Sequence, residues 1–327
     1  MSYIDSWRPT ASRKTLRARA DMMATIRSFF TERDLLEVET PALSHAGTMD
    51  LQIESATAQV RSLGCERLYL MTSPELAMKR LLAAEYGDVY QISRVFRDGE
   101  LGRWHQPEFT LLEWYRVGWN EKDLMKEVEE LLRQIVGAYQ TITPTIRISY
   151  HDAFVEFLGV DVSADESVLK KRLKTLDVNV PDNLEGGSLM ELAFGAVLIP
   201  RLDPRAITFI YDFPENLASL ARIKPTTPPV AARFETFLGG IELANGFDEL
   251  TDEVEQRTRF DAERKQRRSA GLHVPPLDED FLAALSHGLP HCAGVAIGLD
   301  RLFAVATGLQ SLSETISFAH PQKQPKR

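Results

Sequence analysis

Three short segments of the chain combine charged, aromatic and glycine residues in a particular order. They read FRDGE (96–100), HQPEFT (105–110) and GLDR (298–301). A guanidinium group binds phosphate oxygens through a bidentate fork of N–H groups, so Arg97 and Arg301 suit phosphate chemistry. An arginine that follows a strand is usually a solvated edge charge, and each segment alone is a weak signal. Their occurrence together in one chain argues against coincidence.

The residues around these segments predict the elements that position them. Apolar residues recur at helical spacing over residues 12–35, whereas LLEVETPAL (35–43) reads as a strand. DVYQISRVFRDGE (88–100) and EFTLLEWYRVGW (108–119) predict two strands joined by a loop. GVAIGLDRLFAVATG (294–308) predicts a buried strand that runs into a helix.

The remaining pattern sets the fold class. FETFLGGIELANGF (234–247) predicts a hairpin around Gly239-Gly240, while residues 145–205 are less readable. Hairpin-linked strands with helices between groups predict an α+β fold, an antiparallel β-sheet flanked by helices.

Composition excludes several classes of protein. The 327 residues are 44% hydrophobic and 26% charged, values that exclude a disordered or fibrous chain. The net charge of −9 argues against a strong electrostatic grip on nucleic acid. The two cysteines lie far apart, and the N-terminus has no apolar signal region, so the sequence predicts a cytoplasmic protein. The longest uncharged stretch is interrupted by proline and glycine, which argues against a membrane span.

The segments resemble the signature motifs of class II aminoacyl-tRNA synthetases, with motif 1 at about 12–43, motif 2 at about 89–117 and motif 3 at about 292–308. The similarity is closest to the catalytic domain of lysyl-tRNA synthetase, through TSPELAMKRL, HQPEFTLLEWY, RFETFLGG, IELANGFDEL and AGVAIGLDR. The anticodon-binding domain of that enzyme has no counterpart here. Residues 1–327 are therefore interpreted as a single catalytic domain that looks like the elongation factor P–lysine ligase family.

This resemblance implies an AMP-forming ligase. It would use ATP and Mg²⁺ to activate lysine, with (R)-β-lysine preferred, and would transfer it to a lysine side chain of elongation factor P. The resemblance also implies a homodimer built on motif 1, and the expected acceptor is not tRNA. Two alternatives stay open: a truncated lysyl-tRNA synthetase, and a non-catalytic synthetase-like protein that regulates a partner.

The resemblance also assigns the ATP site. Arg97 would hold the α-phosphate and the substrate carboxylate, and Arg301 the γ-phosphate; these two are the expected catalytic residues. Mg²⁺ prefers a few carboxylates together with phosphate oxygens, and the glutamates that flank the Gly-Gly turn fit that role. The ATP-binding residues are then Arg97, Glu100, His105, Phe109, Arg301 and the metal ligands Glu235 and Glu242.

A pocket for lysine needs acidic side chains for its ammonium group. Glu113 and Tyr115 lie two apart on one predicted strand and therefore point to the same side. By resemblance these two and Glu249 bind the ε-ammonium, and Asn245 binds the carboxylate. The full expected substrate set is Gly47, Ser73, Glu75, Glu113, Tyr115, Asn245, Glu249 and Ala296.

Four positions depart from the synthetase pattern. Gly99 stands where motif 2 usually has glutamate, so Glu100 is the candidate replacement, and Trp104 stands where lysyl-tRNA synthetase has a basic residue. Ser73 and Ala296 replace the usual alanine and glycine in the amino-acid pocket. These last two changes resemble the ligase family and favour (R)-β-lysine.

Overall fold

The computed structural model describes residues 7–321, with every side chain in that range except those at positions 63, 65 and 66. Within this range the α-helices are α1 (Arg13–Thr31), α2 (Glu75–Ala83), α3 (Glu121–Val136), α4 (Tyr150–Leu158), α5 (Glu166–Thr175), α6 (Gly186–Ala193), α7 (Glu253–Ser269), α8 (Glu279–Gly288) and α9 (Leu299–Thr307). The strands are β1 (Leu36–Glu37), β2 (Leu43–Ser44), β3 (Thr57–Val60), β4 (Cys65–Leu70), β5 (Val89–Phe96), β6 (Glu108–Val117), β7 (Ile146–Ser149), β8 (Thr208–Pro214), β9 (Ile223–Lys224), β10 (Val230–Leu238), β11 (Ile241–Asp248) and β12 (Cys292–Gly298). Short 3₁₀ turns cover Arg61–Leu63, Ile199–Arg201, Glu215–Leu217 and Leu312–Glu314, and a π-turn covers Phe194–Leu198.

The chain forms two compact units, of which the first comprises residues 1–118, 251–292 and 296–327. In this unit β1 pairs in parallel with β5, and β5 pairs antiparallel with β6. A separate small sheet has the order β2-β4-β3. The N-terminus of α1 is capped by the Ser12 hydroxyl, and its apolar face is buried, with the ring of Phe30 stacked 4.6 Å from that of Tyr90. The motif 1 helix is thus fixed to β5, the first strand of motif 2.

The second unit comprises residues 119–250 and 293–295. Asn120 caps α3 by accepting hydrogen bonds from the backbone N–H groups of residues 122 and 123. The strands of this unit have the order β11-β10-β8-β7. The short strand β9 pairs with residues 230 and 231 of β10, on the edge opposite to β8. The predicted hairpin joins β10 to β11, and both Gly239 and Gly240 have positive φ angles, which suit glycine. The core of the second unit includes the stacked rings of Tyr150, Phe154 and Phe194.

The predicted α+β class is confirmed, with a mixed sheet flanked by helices. The pairs β1–β5 and β7–β8 are parallel, because helices and loops separate the paired strands along the chain and return it in the same direction. The strand predicted over residues 35–43 is divided into β1 and β2, which belong to different sheets. The interpretation of residues 1–327 as a single domain stays a prediction.

In the part of the chain that the structure describes, no helix combines the length and the apolar character needed to cross a bilayer.

Candidate active site

Arg97 follows directly after β5, at the entrance of the loop that leads to β6. Its Nε donates to the carbonyl oxygen of Thr72 at 3.4 Å, and its Nη1 lies 3.6 Å from Oε1 of Glu100. The guanidinium carbon is 5.1 Å from the ring centroid of Phe109, a cation–π distance. The structure therefore brings together three of the residues that the sequence assigns to ATP, in the first unit.

Gly99 has a φ angle of +79°, and its N–H donates to the Asp98 carboxylate at 2.8 Å. A glutamate at this position would be strained, because side-chain-bearing residues rarely adopt such a backbone conformation. The departure from the motif 2 pattern therefore has a local cause, and it leaves Glu100 as the carboxylate beside Arg97.

Arg301 lies in the first turn of α9 and holds the far side of the motif 2 loop. Its Nε donates to the carbonyl oxygen of Trp104 at 3.1 Å, and its Nη2 lies 2.7 Å from Nε2 of His105. A guanidinium has no acceptor, so Nε2 of this histidine accepts. Two further predicted ATP-binding residues are thus in direct contact.

Glu113 and Tyr115 point to the same side of β6, as predicted. The Tyr115 hydroxyl donates to Oε1 of Glu113 at 2.6 Å, and each residue is only 2% exposed. A buried carboxylate with an oriented hydroxyl neighbour suits an alkylammonium ligand, because a positive charge interacts favourably with the carboxylate and can donate hydrogen bonds to it.

Glu75 begins α2, and its carboxylate accepts from Nζ of Lys79 at 2.7 Å, one helical turn later. Lys79 is almost fully buried. The expected α-amino ligand Glu75 is thus already held by a lysine that sequence reasoning missed, although the i,i+4 spacing in PELAMK could have indicated it.

Gly47 is a position of close approach between backbone and side chains. A Cβ atom there would lie 2.8 Å from Cβ of Pro275 and 2.9 Å from Cδ1 of Tyr69, so only glycine fits. Two other expected pocket residues, Ser73 and Ala296, are partly buried, the first just before α2 and the second on β12.

In the second unit, Glu235 on β10 lies directly opposite Asn245 on β11. Glu242 is three residues from Asn245 and would point to the other face of a regular strand. A bulge changes the register here: Thr236 pairs with Ala244, but the next residue of β10 pairs with Glu242. The bulge therefore turns Glu242 to the face that carries Glu235.

The two carboxylates interact electrostatically. Burial raises the pKa of Glu235 to about 7, and the negative charge of Glu242 adds to the rise, while the guanidinium of Arg233 opposes it. Among the described residues, no group of three His, Cys, Asp or Glu side chains could hold a metal by itself. A pair of close carboxylates that needs further ligands fits Mg²⁺, which completes its coordination with water and substrate phosphate oxygens.

Asn245 and Glu249 are placed by β11 and its end. The side-chain oxygen of Asn245 accepts from Nε of Arg233 at 3.2 Å. Glu249 follows the strand, is 1% exposed, and its backbone pairs with that of Ala221 in an isolated antiparallel β-bridge. Arg233 was missed by sequence reasoning, since an arginine in RFETF looks like an ordinary edge charge.

Comparisons with known proteins agree with this arrangement of motifs. The family model for class II tRNA synthetases (D, K and N) matches residues 1–322. The chain is 44% identical over 324 residues to a protein of Proteus mirabilis named elongation factor P–(R)-beta-lysine ligase, covering 97% of this chain and 98% of that protein. It is 45% identical over 325 residues to the protein of the same name from Edwardsiella ictaluri, covering 98% and 99%.

The chain belongs to the elongation factor P–(R)-beta-lysine ligase family. It is therefore an ATP-dependent ligase with a class II synthetase catalytic fold, as the sequence predicts. Arg97 lies in the segment that corresponds to motif 2, and Arg301 lies in the segment that corresponds to motif 3. The roles of the individual side chains toward substrates stay predictions.

Proposed function

We propose that this ligase activates lysine, preferentially (R)-β-lysine, as an aminoacyl-adenylate and transfers it to a lysine side chain of elongation factor P. The buried pair of Glu113 and Tyr115 is the observation that carries the substrate class. A cationic side chain is the natural partner of such a carboxylate, whereas the side chain of an acidic amino acid would be repelled by it.

In the proposed first step, the substrate carboxylate attacks the α-phosphorus of ATP and pyrophosphate leaves. The carboxylate is already ionised at neutral pH, so the step needs positioning and charge neutralisation rather than a general base. Arg97 would bind the α-phosphate and the carboxylate, Arg301 the γ-phosphate, and Phe109 would stack on the adenine. Glu235 and Glu242 would hold Mg²⁺, which neutralises phosphate charge.

In the proposed second step, the ε-amine of the acceptor lysine attacks the carbonyl carbon of the adenylate. An amide bond forms, the bond to AMP breaks, and the amine loses one proton. Because the reference pKa of lysine is about 10.4, only about one amine in a few thousand is neutral at pH 7. The acceptor complex is therefore expected to lower that pKa or to accept the proton.

The partner proposals follow from the family. The names of the relatives support elongation factor P as acceptor. We also propose a homodimer that does not charge tRNA, located in the cytoplasm, where translation factors act.

A paired labelling assay tests the acceptor. The enzyme is incubated with ATP, Mg²⁺ and labelled α-lysine or (R)-β-lysine, with either elongation factor P or lysine tRNA. The expected result is label on elongation factor P, with more label from (R)-β-lysine than from α-lysine. Label on tRNA alone would restore the truncated-synthetase alternative, and the absence of pyrophosphate exchange with either isomer would favour a non-catalytic protein.

A further inference from the structure

Arg233 on β10 connects three acceptors that lie in different directions. Its Nε donates to the side-chain oxygen of Asn245 at 3.2 Å, its Nη1 to the carbonyl oxygen of Leu217 at 2.7 Å, and its Nη2 to Oε1 of Glu235 at 2.6 Å. The guanidinium also lies over the ring of Phe213, 4.6 Å from its centroid. With a side chain only 16% exposed, this arginine is held in one orientation.

The first of these contacts decides which way the amide of Asn245 points. A guanidinium can only donate, so the amide oxygen faces Arg233 and the NH₂ group faces away from it. An NH₂ group is the end of an amide that attracts a carboxylate, whereas an amide oxygen would repel it. A lysine side chain at position 233 has a methylene group at the place of Nε and would not impose this choice.

We infer that Arg233 is a positioning residue that presents the NH₂ group of Asn245 to the carboxylate of the amino-acid substrate. The inference rests on the proposed function, together with the expectation from the sequence that Asn245 shares in binding that carboxylate. The same guanidinium holds one oxygen of Glu235 and leaves the other for the metal, so a single side chain orders a substrate ligand and a metal ligand on adjacent strands.

The test compares two ligands that differ in the carboxylate. Binding of lysine and of 1,5-diaminopentane, which has no carboxylate, is measured by calorimetry in the absence of ATP and Mg²⁺. In Arg233→Lys we expect the dissociation constant of lysine to rise about tenfold, the effect of one lost hydrogen bond to a charged group, with that of 1,5-diaminopentane unchanged. A general loss of packing would weaken both ligands equally.

Arg147→Lys is the matched control. Arg147 is another ion-paired arginine of the second unit, but it lies on β7, which β8 separates from β10. Its replacement should leave the ratio of the two dissociation constants at the wild-type value.

Asn245→Asp provides a second test that keeps the contact with Arg233. It retains an oxygen for Nε but replaces the NH₂ group by a second oxygen, so the preference for lysine over 1,5-diaminopentane should fall at least tenfold. An unchanged preference in Arg233→Lys would overturn the inference while leaving the proposed function standing. An unchanged preference in Asn245→Asp would overturn the carboxylate role of Asn245 and the inference with it. A wild-type enzyme that binds lysine no better than 1,5-diaminopentane would overturn the proposed carboxylate role and the inference with it.

Discussion

Arg19 and Asp300 form an ion pair that links the motif 1 helix to motif 3, with Nη2 of the arginine 2.7 Å from Oδ1 of the aspartate. Both side chains are largely buried. The same Nη2 donates to the hydroxyl of Thr110 at 3.0 Å, and the backbone N–H of Thr110 donates to Oδ2 of Asp300 at 2.7 Å. The three predicted motifs of this ligase thus meet in one hydrogen-bonded cluster of the first unit.

This cluster lies next to the arginine of motif 3 that we propose to bind phosphate. Asp300 directly precedes Arg301, whose guanidinium in turn contacts the motif 2 loop at Trp104 and His105. Groups that are already oriented before a substrate arrives need no reorganisation when negative charge develops.

Removal of either arginine should therefore abolish adenylate formation. We expect Arg97→Ala and Arg301→Ala each to lower the rate of lysine-dependent ATP–pyrophosphate exchange by about 10²–10³. Each side chain is partly exposed at the surface of the unit, so the free energy of unfolding should change little.

Arg94→Ala is the control for this experiment. Arg94 lies on β5 three residues before Arg97, is half exposed and pairs only loosely with Glu108 at 3.6 Å. Its variant should retain exchange activity, whereas near-normal exchange in Arg97→Ala would contradict the assignment.

The sequence predicted best those parts of the molecule that depend on local pattern. Gly239-Gly240 is predicted as a turn, and Glu113 and Tyr115 as neighbours on one side of a strand, because turn formation and strand alternation each involve residues close in the chain. The structure also brings Glu100 and Phe109 close to Arg97, while the role of these side chains toward ATP stays a prediction.

Long-range features were not predictable in this way. The ion pair of Arg19 with Asp300 joins residues far apart in sequence, and the type of each residue does not indicate which partner it will have. The bulge at β11 depends on packing between two strands, yet it decides on which face Glu242 lies. A periodicity argument alone would have placed this glutamate on the other face of the sheet from Asn245.

Ala296 gives a test of substrate preference. Its methyl group is expected to crowd the α-carbon side of α-lysine and to leave room for the amino group of (R)-β-lysine, one carbon further along. A methyl-sized difference is worth about 1–3 kcal/mol, so Ala296→Gly should lower the ratio of (R)-β-lysine to α-lysine activation by roughly tenfold or more. The measurement is kcat/KM in pyrophosphate exchange with each isomer. The KM for ATP serves as internal control, and an unchanged ratio would remove Ala296 from the pocket.

Arg267 gives a test of stability. It is 1% exposed, and it donates to the carbonyl oxygens of Asp50 at 2.6 Å and His273 at 2.7 Å and to the carboxylate of Glu54. Arg267→Met removes a buried guanidinium and leaves these partly exposed acceptors without its N–H groups, so the free energy of unfolding should fall by about 1–3 kcal/mol in urea titrations. Arg268→Met, next in the chain and exposed, should change it by less than about 0.5 kcal/mol. Equal effects of the two substitutions would contradict this account.

The proposed dimer has its own test. Leu36 on the short strand β1 is 50% exposed within the motif 1 region, an apolar side chain that a subunit interface would cover. Sedimentation at micromolar concentration should show a dimer, and Leu36→Glu should shift it toward the monomer. Val254→Glu, at an even more exposed apolar residue on α7, should leave the dimer intact. A wild-type monomer at these concentrations would refute the proposal.

Glu263 on α7 should make stability depend on pH. Burial raises its pKa to about 7, the nearby charge of Asp50 adds to the rise, and Arg259 and Arg267 oppose it. Between pH 4.5 and 7 this carboxyl therefore holds its proton more fully in the folded chain than in the unfolded chain, so its contribution to the free energy of unfolding falls as the pH rises through this window.

Glu263→Gln removes this titration, and the comparison with wild type subtracts every other ionising group. Urea titrations at pH 5 and pH 8 should show that the variant gains about 1–3 kcal/mol relative to wild type as the pH rises. Any lost hydrogen bond would shift the variant equally at both values, so only the change with pH is diagnostic. Stability curves that run parallel between pH 5 and 8 would show that this carboxyl titrates near its ordinary value.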